Sequence, residues 1–302
     1  MTRSWSLLLA LFLSCDGGSD PSTPRALVVG IDGVRPDALD TASTPGMDAL
    51  ASDGTIYRDA FAGGQPGTRT EQRTLSGPGW SSILTGVWVD KHGVQFNDFA
   101  GSRFDEYPHF FRRIREVRPD ATLSSFVTWT PIHDQILGTE DADVAFSPSA
   151  ESSEEADALV AAAVVDHLGG QDPDVVFVHL DNPDAQGHRH TFSAETPEYL
   201  AAIEGADAQV SSMVEAIRAR PEFEGEDWLV VVITDHGGLG NLHGGQSTEE
   251  RTIPLIVSQV APKKGTAFAS GPGQVVVPSL VLWHLGVSID SDWGWEGADS
   301  VR

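Results

Sequence analysis

The run Ala26-Leu27-Val28-Val29-Gly30-Ile31 followed by Asp32-Gly33 decides how this chain folds. Six apolar residues in a row, with no polar alternation, make a strand buried on both faces, and the Asp-Gly pair opens its carboxyl end into a loop. Runs of the same kind recur at 122–128, Val175–Leu180, 229–234 and 253–257. Helical patterns lie between them at 45–52, 107–118, 153–168 and 197–220, the last with Tyr199, Ile203, Ala206 and Val210 at helical spacing. Strands alternating with helices of these lengths need crossover connections. The expected fold is therefore α/β, a mostly parallel central sheet with helices on both faces. With no internal repeat and no second boundary, residues 26–302 are expected to form one catalytic α/β domain.

Composition limits the partners. The 302 residues carry 44 Asp plus Glu against 19 Lys plus Arg, a formal charge of −25. That field repels duplex nucleic acid and anionic lipid, so neither is expected as a partner. An anionic phosphate ester could be held only where positive charge is supplied locally, and bound metal is the obvious source.

The amino terminus carries an apolar run over residues 5–13. A bilayer span needs about 20 residues, so this is read as a signal-peptide core within residues 1–15. Cys15, the one cysteine of the chain, stands after that run where bacterial lipoprotein processing sites stand, and its lipidation is expected. The alternative is an ordinary secretory signal cleaved nearby. Residues 16–25 read as a flexible tether. Either way the mature protein is expected to be exported, to the periplasm or cell envelope, touching membrane only through a lipid on Cys15.

In parallel α/β sheets, ligands collect outside the carboxyl ends of the strands. Asp32 ends the first run, Asp184 and His188 follow the Val175–Leu180 run, and Asp235-His236-Gly237-Gly238 ends the run at 229–234. Asp184 and His188 are four apart, on one side of a helical turn, so both can reach one cation. His243 lies in a further glycine-rich stretch, Asn241-Leu242-His243-Gly244-Gly245. Three carboxylates and three imidazoles thus converge on one sheet edge. Two zinc-type sites with open positions need about three protein ligands each, and the count fits. Asp181 is the alternative carboxylate to Asp184. His133, His179 and His190 are expected behind or beside the ligands, and the acidic stretch 151–157 as a solvated helix start.

These residues resemble the alkaline phosphatase superfamily, and within it the type I phosphodiesterase and nucleotide pyrophosphatase branch. The resemblance rests on Asp32-Gly33, the segment from Ser76-Gly77-Pro78-Gly79-Trp80 to Thr85-Gly86, Lys91-His92-Gly93, Asp184 with His188, Asp235-His236-Gly237 and His243-Gly244-Gly245, in the family's order. It implies an alkaline-phosphatase-like fold and a hydrolase that cleaves phosphate esters through a covalent phosphoserine. It implies two divalent ions, zinc or else manganese. Asp32, Asp235 and His236 would hold the ion that activates the nucleophile, and Asp184, His188 and His243 the ion facing the leaving group. The family nucleophile stands two residues before a proline, which makes it Ser76, in contact with the first ion, with Thr74 as fallback. Ser76 would then start a helix whose free N–H groups meet phosphate oxygens; its other reading is a plain helix cap.

Gly79 stands where that branch usually places a phosphate-binding Asn, so phosphate contact must come from backbone or another side chain, and monoester or diester stays open. Gly79 and Trp80 are expected at the substrate, with Trp80, Phe96, Phe99 and Trp129 as a cleft lining or, equally, as core. Lys91-His92-Gly93 is expected to be structural. Sulfatases share the fold, but normally carry Arg where Trp80 stands and would leave His188 and His243 idle. A phosphonate hydrolase and an inert metal-binding lipoprotein are further alternatives. A phosphoglycerate mutase would need a large insert, for which the roughly 90 residues between Gly93 and Asp184 leave little room.

Overall fold

A computed structural model of the chain describes residues 22–260 and 271–297. Seven strands form one sheet: β1 Thr23–Ile31, β2 Thr55–Phe61, β3 Leu123–Val127, β4 Val144–Phe146, β5 Val175–Leu180, β6 Glu226–Ile233 and β7 Thr252–Gln259, in the order β2-β7-β6-β1-β5-β3-β4. β1 lies at the centre, parallel to both β5 and β6, and β3 continues the parallel set with β5 and β4. The α/β fold with a mostly parallel sheet is as expected from the sequence.

The run at 253–257 does not join that parallel set. β7 is antiparallel to β6 and to the edge strand β2. The connection from β6 holds only loops and the one-turn helix Thr248–Arg251, too little for a crossover, so the chain turns back on itself.

Side chains of the central strands alternate between two cores. Ala26, Val28, Val175, Phe177, Leu229 and Val231 face one side. There they meet three helices, α1 Ser76–Thr85, α2 Phe110–Val117 and, near the carboxyl end, Val277–His284. Leu27, Val29, Val176, Val178, Val230 and Val232 face the other, against α3 Ser153–Gly170, α4 Pro197–Arg218 and the helix Pro45–Asp53. The unbroken apolar runs follow from that double burial.

Two sequence expectations are corrected here. The tether ends sooner than residue 25, because Thr23, Pro24 and Arg25 already belong to β1 and pair with Glu226, Asp227 and Trp228. Arg25 is buried, with Nε 2.8 Å from Glu226 Oε1 and Nη1 donating to Pro173 O, which fixes the strand's start. The stretch 151–157 does open a helix, capped by Ser152, but Asp157 is buried and not solvated. The signal segment and Cys15 lie outside the described residues. Among the described residues no helix is long and apolar enough to cross a membrane.

Candidate metal centre

Three adjacent strands deliver the six side chains to one edge. β1 ends at Asp32. β6 runs through Thr234 into Asp235 and His236. After β5 the chain enters the helix Asn182–Arg189, with Pro183 in its first turn, which puts Asp184 and His188 on one face. Gly33 has φ +70°, and a Cβ there would lie 2.8 Å from Asp184 Oδ1, so the Asp-Gly turn lets Asp184 close on Asp32.

The ligand atoms meet. His188 Nε2 lies 3.4 Å from Asp184 Oδ2, and His243 Nε2 lies 3.5 Å from Asp184 Oδ1. His236 Nε2 lies 3.4 Å from Asp32 Oδ1 and 3.2 Å from Asp235 Oδ2. Ligand atoms of Asp184, His188 and His243 fall within 4.8 Å of one another, as do those of Asp32, Asp184 and His236. The six residues therefore form one continuous cluster.

Each imidazole is oriented by a backbone carbonyl. Nδ1–H of His236 donates to Gly237 O, that of His243 to Thr74 O, and that of His188 to Asn241 O, at 2.8 to 2.9 Å. A carbonyl only accepts, so the proton sits on Nδ1 and each Nε2 presents a lone pair. The Nε2 atoms of His188 and His243 stand 2.9 Å apart, lone pair toward lone pair. Asp32 Oδ1, Asp184 Oδ1, Asp235 Oδ2 and His236 Nε2 are buried without a hydrogen-bond partner. Orphaned buried acceptors facing one another are costly, and a cation satisfies them together. The residues present thus fit divalent metal, and oxygen plus imidazole donors suit zinc or manganese.

The electrostatics agree. Burial opposes charge on Asp32, but hydrogen bonding from His179 and the nearby His236 outweigh it and hold its carboxyl well below the usual range. Burial, then the charge of Asp32, push Asp184 and Asp235 well above it. Burial pulls His243 down, and His236 down to about 3. Three carboxylates this close cannot all ionise unless positive charge arrives.

Ser76 is the first residue of α1, and Leu75 takes the cap position with no side-chain cap bond, so the Ser76 hydroxyl is not spent on capping. Thr74, the fallback, is committed: its hydroxyl donates to Gly245 O and accepts from Gly244 N, which ties down the loop carrying His243.

A family model for type I phosphodiesterase/nucleotide pyrophosphatase matches residues 26–151, and one for the metalloenzyme superfamily matches residues 133–287, more than half of the chain. The chain belongs to the metalloenzyme superfamily. A curated relative, a bis(5'-adenosyl)-triphosphatase of Bos taurus, is 23% identical over 76% of this chain and 51% of its own length. The chain thus spans about half of that relative. Among solved structures, murine ectonucleotide pyrophosphatase/phosphodiesterase 5, an inactive variant in complex with AMP, superposes with TM-score 0.64 at 13% identity over 92% of this chain and 100% of the other. A 2-O GAG sulfatase superposes with TM-score 0.66 at 14% identity, over 91% and 72%. The fold is alkaline-phosphatase-like, shared with that nucleotide pyrophosphatase/phosphodiesterase and that sulfatase.

Both residues expected at the substrate pack toward carboxylates of the cluster. Trp80 is fully buried, and its indole N–H donates to Asp32 Oδ2 at 2.9 Å. Gly79 packs on Asp235, since a Cβ there would lie 2.8 Å from Asp235 Cβ. Phe99 is buried beside the partly buried Trp129, leaving Phe96, about half exposed, as the aromatic open to solvent. Lys91 and His92 are structural, as expected: Lys91 pairs with Glu296, and His92 is buried against Ser82. His133 lies between Ser125 and Ser147. His190 faces Glu198 at 3.9 Å, and Asp181 accepts from Ser153.

Two roles escaped the sequence reading, those of Trp80 and Asn97, while His179 stands behind a candidate ligand as expected. Trp80 and His179 both meet Asp32 Oδ2, and Asn97 Oδ1 accepts from Gly77 N at 2.8 Å, one residue from Ser76. No local pattern marks Asn97, an exposed amide 21 positions beyond Ser76.

Proposed function

We propose that this chain is a metal-dependent phosphoric ester hydrolase that acts on small phosphate esters through a phosphoserine formed on Ser76. The observation that carries the reading is the set of three imidazoles, each with Nδ1–H on a backbone carbonyl and its Nε2 lone pair turned toward Asp32, Asp184 and Asp235. Asp32, Asp235 and His236 would hold one divalent ion beside Ser76, and Asp184, His188 and His243 a second beside the leaving group. Bound there, two such ions neutralise phosphate charge and lower the pKa of the oxygens they contact.

The chain supplies the rest. Ser76 Oγ gives its proton to solvent water and attacks phosphorus; the bond from phosphorus to the leaving oxygen breaks, and that oxygen departs with the electron pair and takes up a proton from solvent. Water then attacks the phosphoserine, the bond from phosphorus to Oγ breaks, the phosphate product leaves, and a proton from the attacking water restores the Ser76 hydroxyl. Asn97 supplies the side-chain contact that Gly79 cannot: its Oδ1 is bound to Gly77 N, so the carboxamide is fixed beside Ser76 with an N–H2 available to a non-bridging oxygen. The first turn of α1, ten residues long, adds backbone N–H groups.

The test is an assay of chelator-stripped protein against aryl phosphate mono- and diesters and a dinucleoside polyphosphate, with sulfate and phosphonate esters alongside. Activity on phosphate esters should vanish on stripping and return with zinc or manganese. Faster turnover of the sulfate ester, or undiminished turnover in chelator, contradicts the reading.

A further inference from the structure

Asp32 is held from behind by two side chains that touch no ligand position. His179, on β5, is fully buried, and its Nε2 lies 3.2 Å from Asp32 Oδ2, the oxygen that also accepts the Trp80 indole N–H. The other ring nitrogen of His179, Nδ1, faces the backbone N–H of Trp129 at 3.4 Å. An amide N–H only donates, so Nδ1 is the acceptor and the proton sits on Nε2, directed at Asp32. The Trp80 and His179 rings pack edge to face, centroids 4.7 Å apart, so each donor fixes the other's angle. Oδ2 of Asp32 is thereby saturated by two N–H donors, while Oδ1 remains a buried orphan facing His236.

We propose that His179 is a positioning residue which, with Trp80, restricts Asp32 to ligation through Oδ1 alone. The inference rests on the metal reading given above. The ligand atoms of Asp32, His179 and Asp181 also lie within 4.8 Å of one another, a grouping that could suggest a third ion. The hydrogen bonds argue otherwise: Oδ2 already accepts the indole proton, and Nε2, the only His179 nitrogen aimed there, carries a proton of its own. The pair of donors stands where such an ion would bind and performs the orienting role through neutral groups.

The experiment is zinc titration calorimetry on the stripped full-length protein. Wild type should take up two equivalents. His179→Phe keeps the ring and removes the donor, and should weaken one of the two sites by ~10–100-fold while leaving the other within about twofold. His179→Gln, which can still donate, should recover most of that loss, and Trp80→Phe should weaken the same site. Should a variant fail to fold, the tautomer of His179 in the zinc-loaded wild type, read from its ring nitrogen shifts, decides: a proton on Nε2 is required. Two wild-type-affinity sites in His179→Phe, a third equivalent lost on that substitution, or a proton on Nδ1 overturns the proposal. A wild type that binds no zinc overturns the metal reading itself.

Discussion

For single residues, what each side chain can do depends on what it has left to offer after its hydrogen bonds are made. Ser76 has an uncommitted hydroxyl at the start of α1, whereas Thr74 is spent on the His243 loop. Ser76→Ala should therefore lower kcat by roughly a thousandfold or more while two zinc equivalents still bind, and Thr74→Ser should retain turnover. Asn97→Ala should lower kcat by ~10²–10³-fold, the usual loss when one anion-stabilising donor is removed. Steady-state kinetics with a diester checks both, and a loss confined to KM would move Asn97 out of the role given it. The gathering of the six candidate ligands was legible in the sequence because each lies at or just beyond a strand's carboxyl end or in a glycine-rich turn. The role of Trp80 was not, nor was the specific partner of His179: their bonds to Asp32 span 48 and 147 positions, and an apolar context made Trp80 look like a cleft wall.

Among elements, the decisive contact is α1 against the end of β6. Gly79 lets the helix press on Asp235, and any side chain there must displace that candidate ligand. Gly79→Ala is expected to preserve secondary structure by circular dichroism yet weaken zinc binding about tenfold or more; unchanged affinity would show that α1 can shift without consequence. The parallel strands were readable because burial on both faces leaves unbroken apolar runs. β7 has the same composition, and only the shortness of the connection from β6 reveals its opposite direction. β2 and β4 escaped for another reason. Both are edge strands, partly exposed, and their mixed residues carry no distinct run.

For the whole molecule, charge and metal are coupled. Burial and the neighbouring Asp32 push the carboxyls of Asp184 and Asp235 upward, so zinc binding is expected to release protons and to strengthen as pH rises. Calorimetry in two buffers of different ionisation enthalpy should show that release. If the ions bind only the folded chain, each site with zinc at one hundred times its Kd should stabilise the protein by about 2.7 kcal/mol, read as a rise in Tm that chelator reverses. A separate effect comes from Asp157, far from the surface, whose carboxyl is pushed up to about 6 by burial. Its folded pKa exceeds the unfolded one, so its contribution is fully present below about pH 4 and is lost as pH rises through about 6, up to roughly 3 kcal/mol. Asp157→Asn cannot ionise. Its Tm relative to wild type should therefore climb between pH 4 and pH 7, and a flat difference contradicts the assignment.

The claim beneath all of this is that Ser76, beside metal held by six converging side chains, becomes covalently bonded to phosphorus. Acid-quenching zinc-loaded protein during turnover of a phosphate diester, followed by peptide mass spectrometry, reads that bond directly. The expected result is a phosphoryl adduct on the Ser76 peptide that is absent from chelator-treated protein. Steady turnover with Ser76 unmodified, and equal turnover in Ser76→Ala, would contradict it.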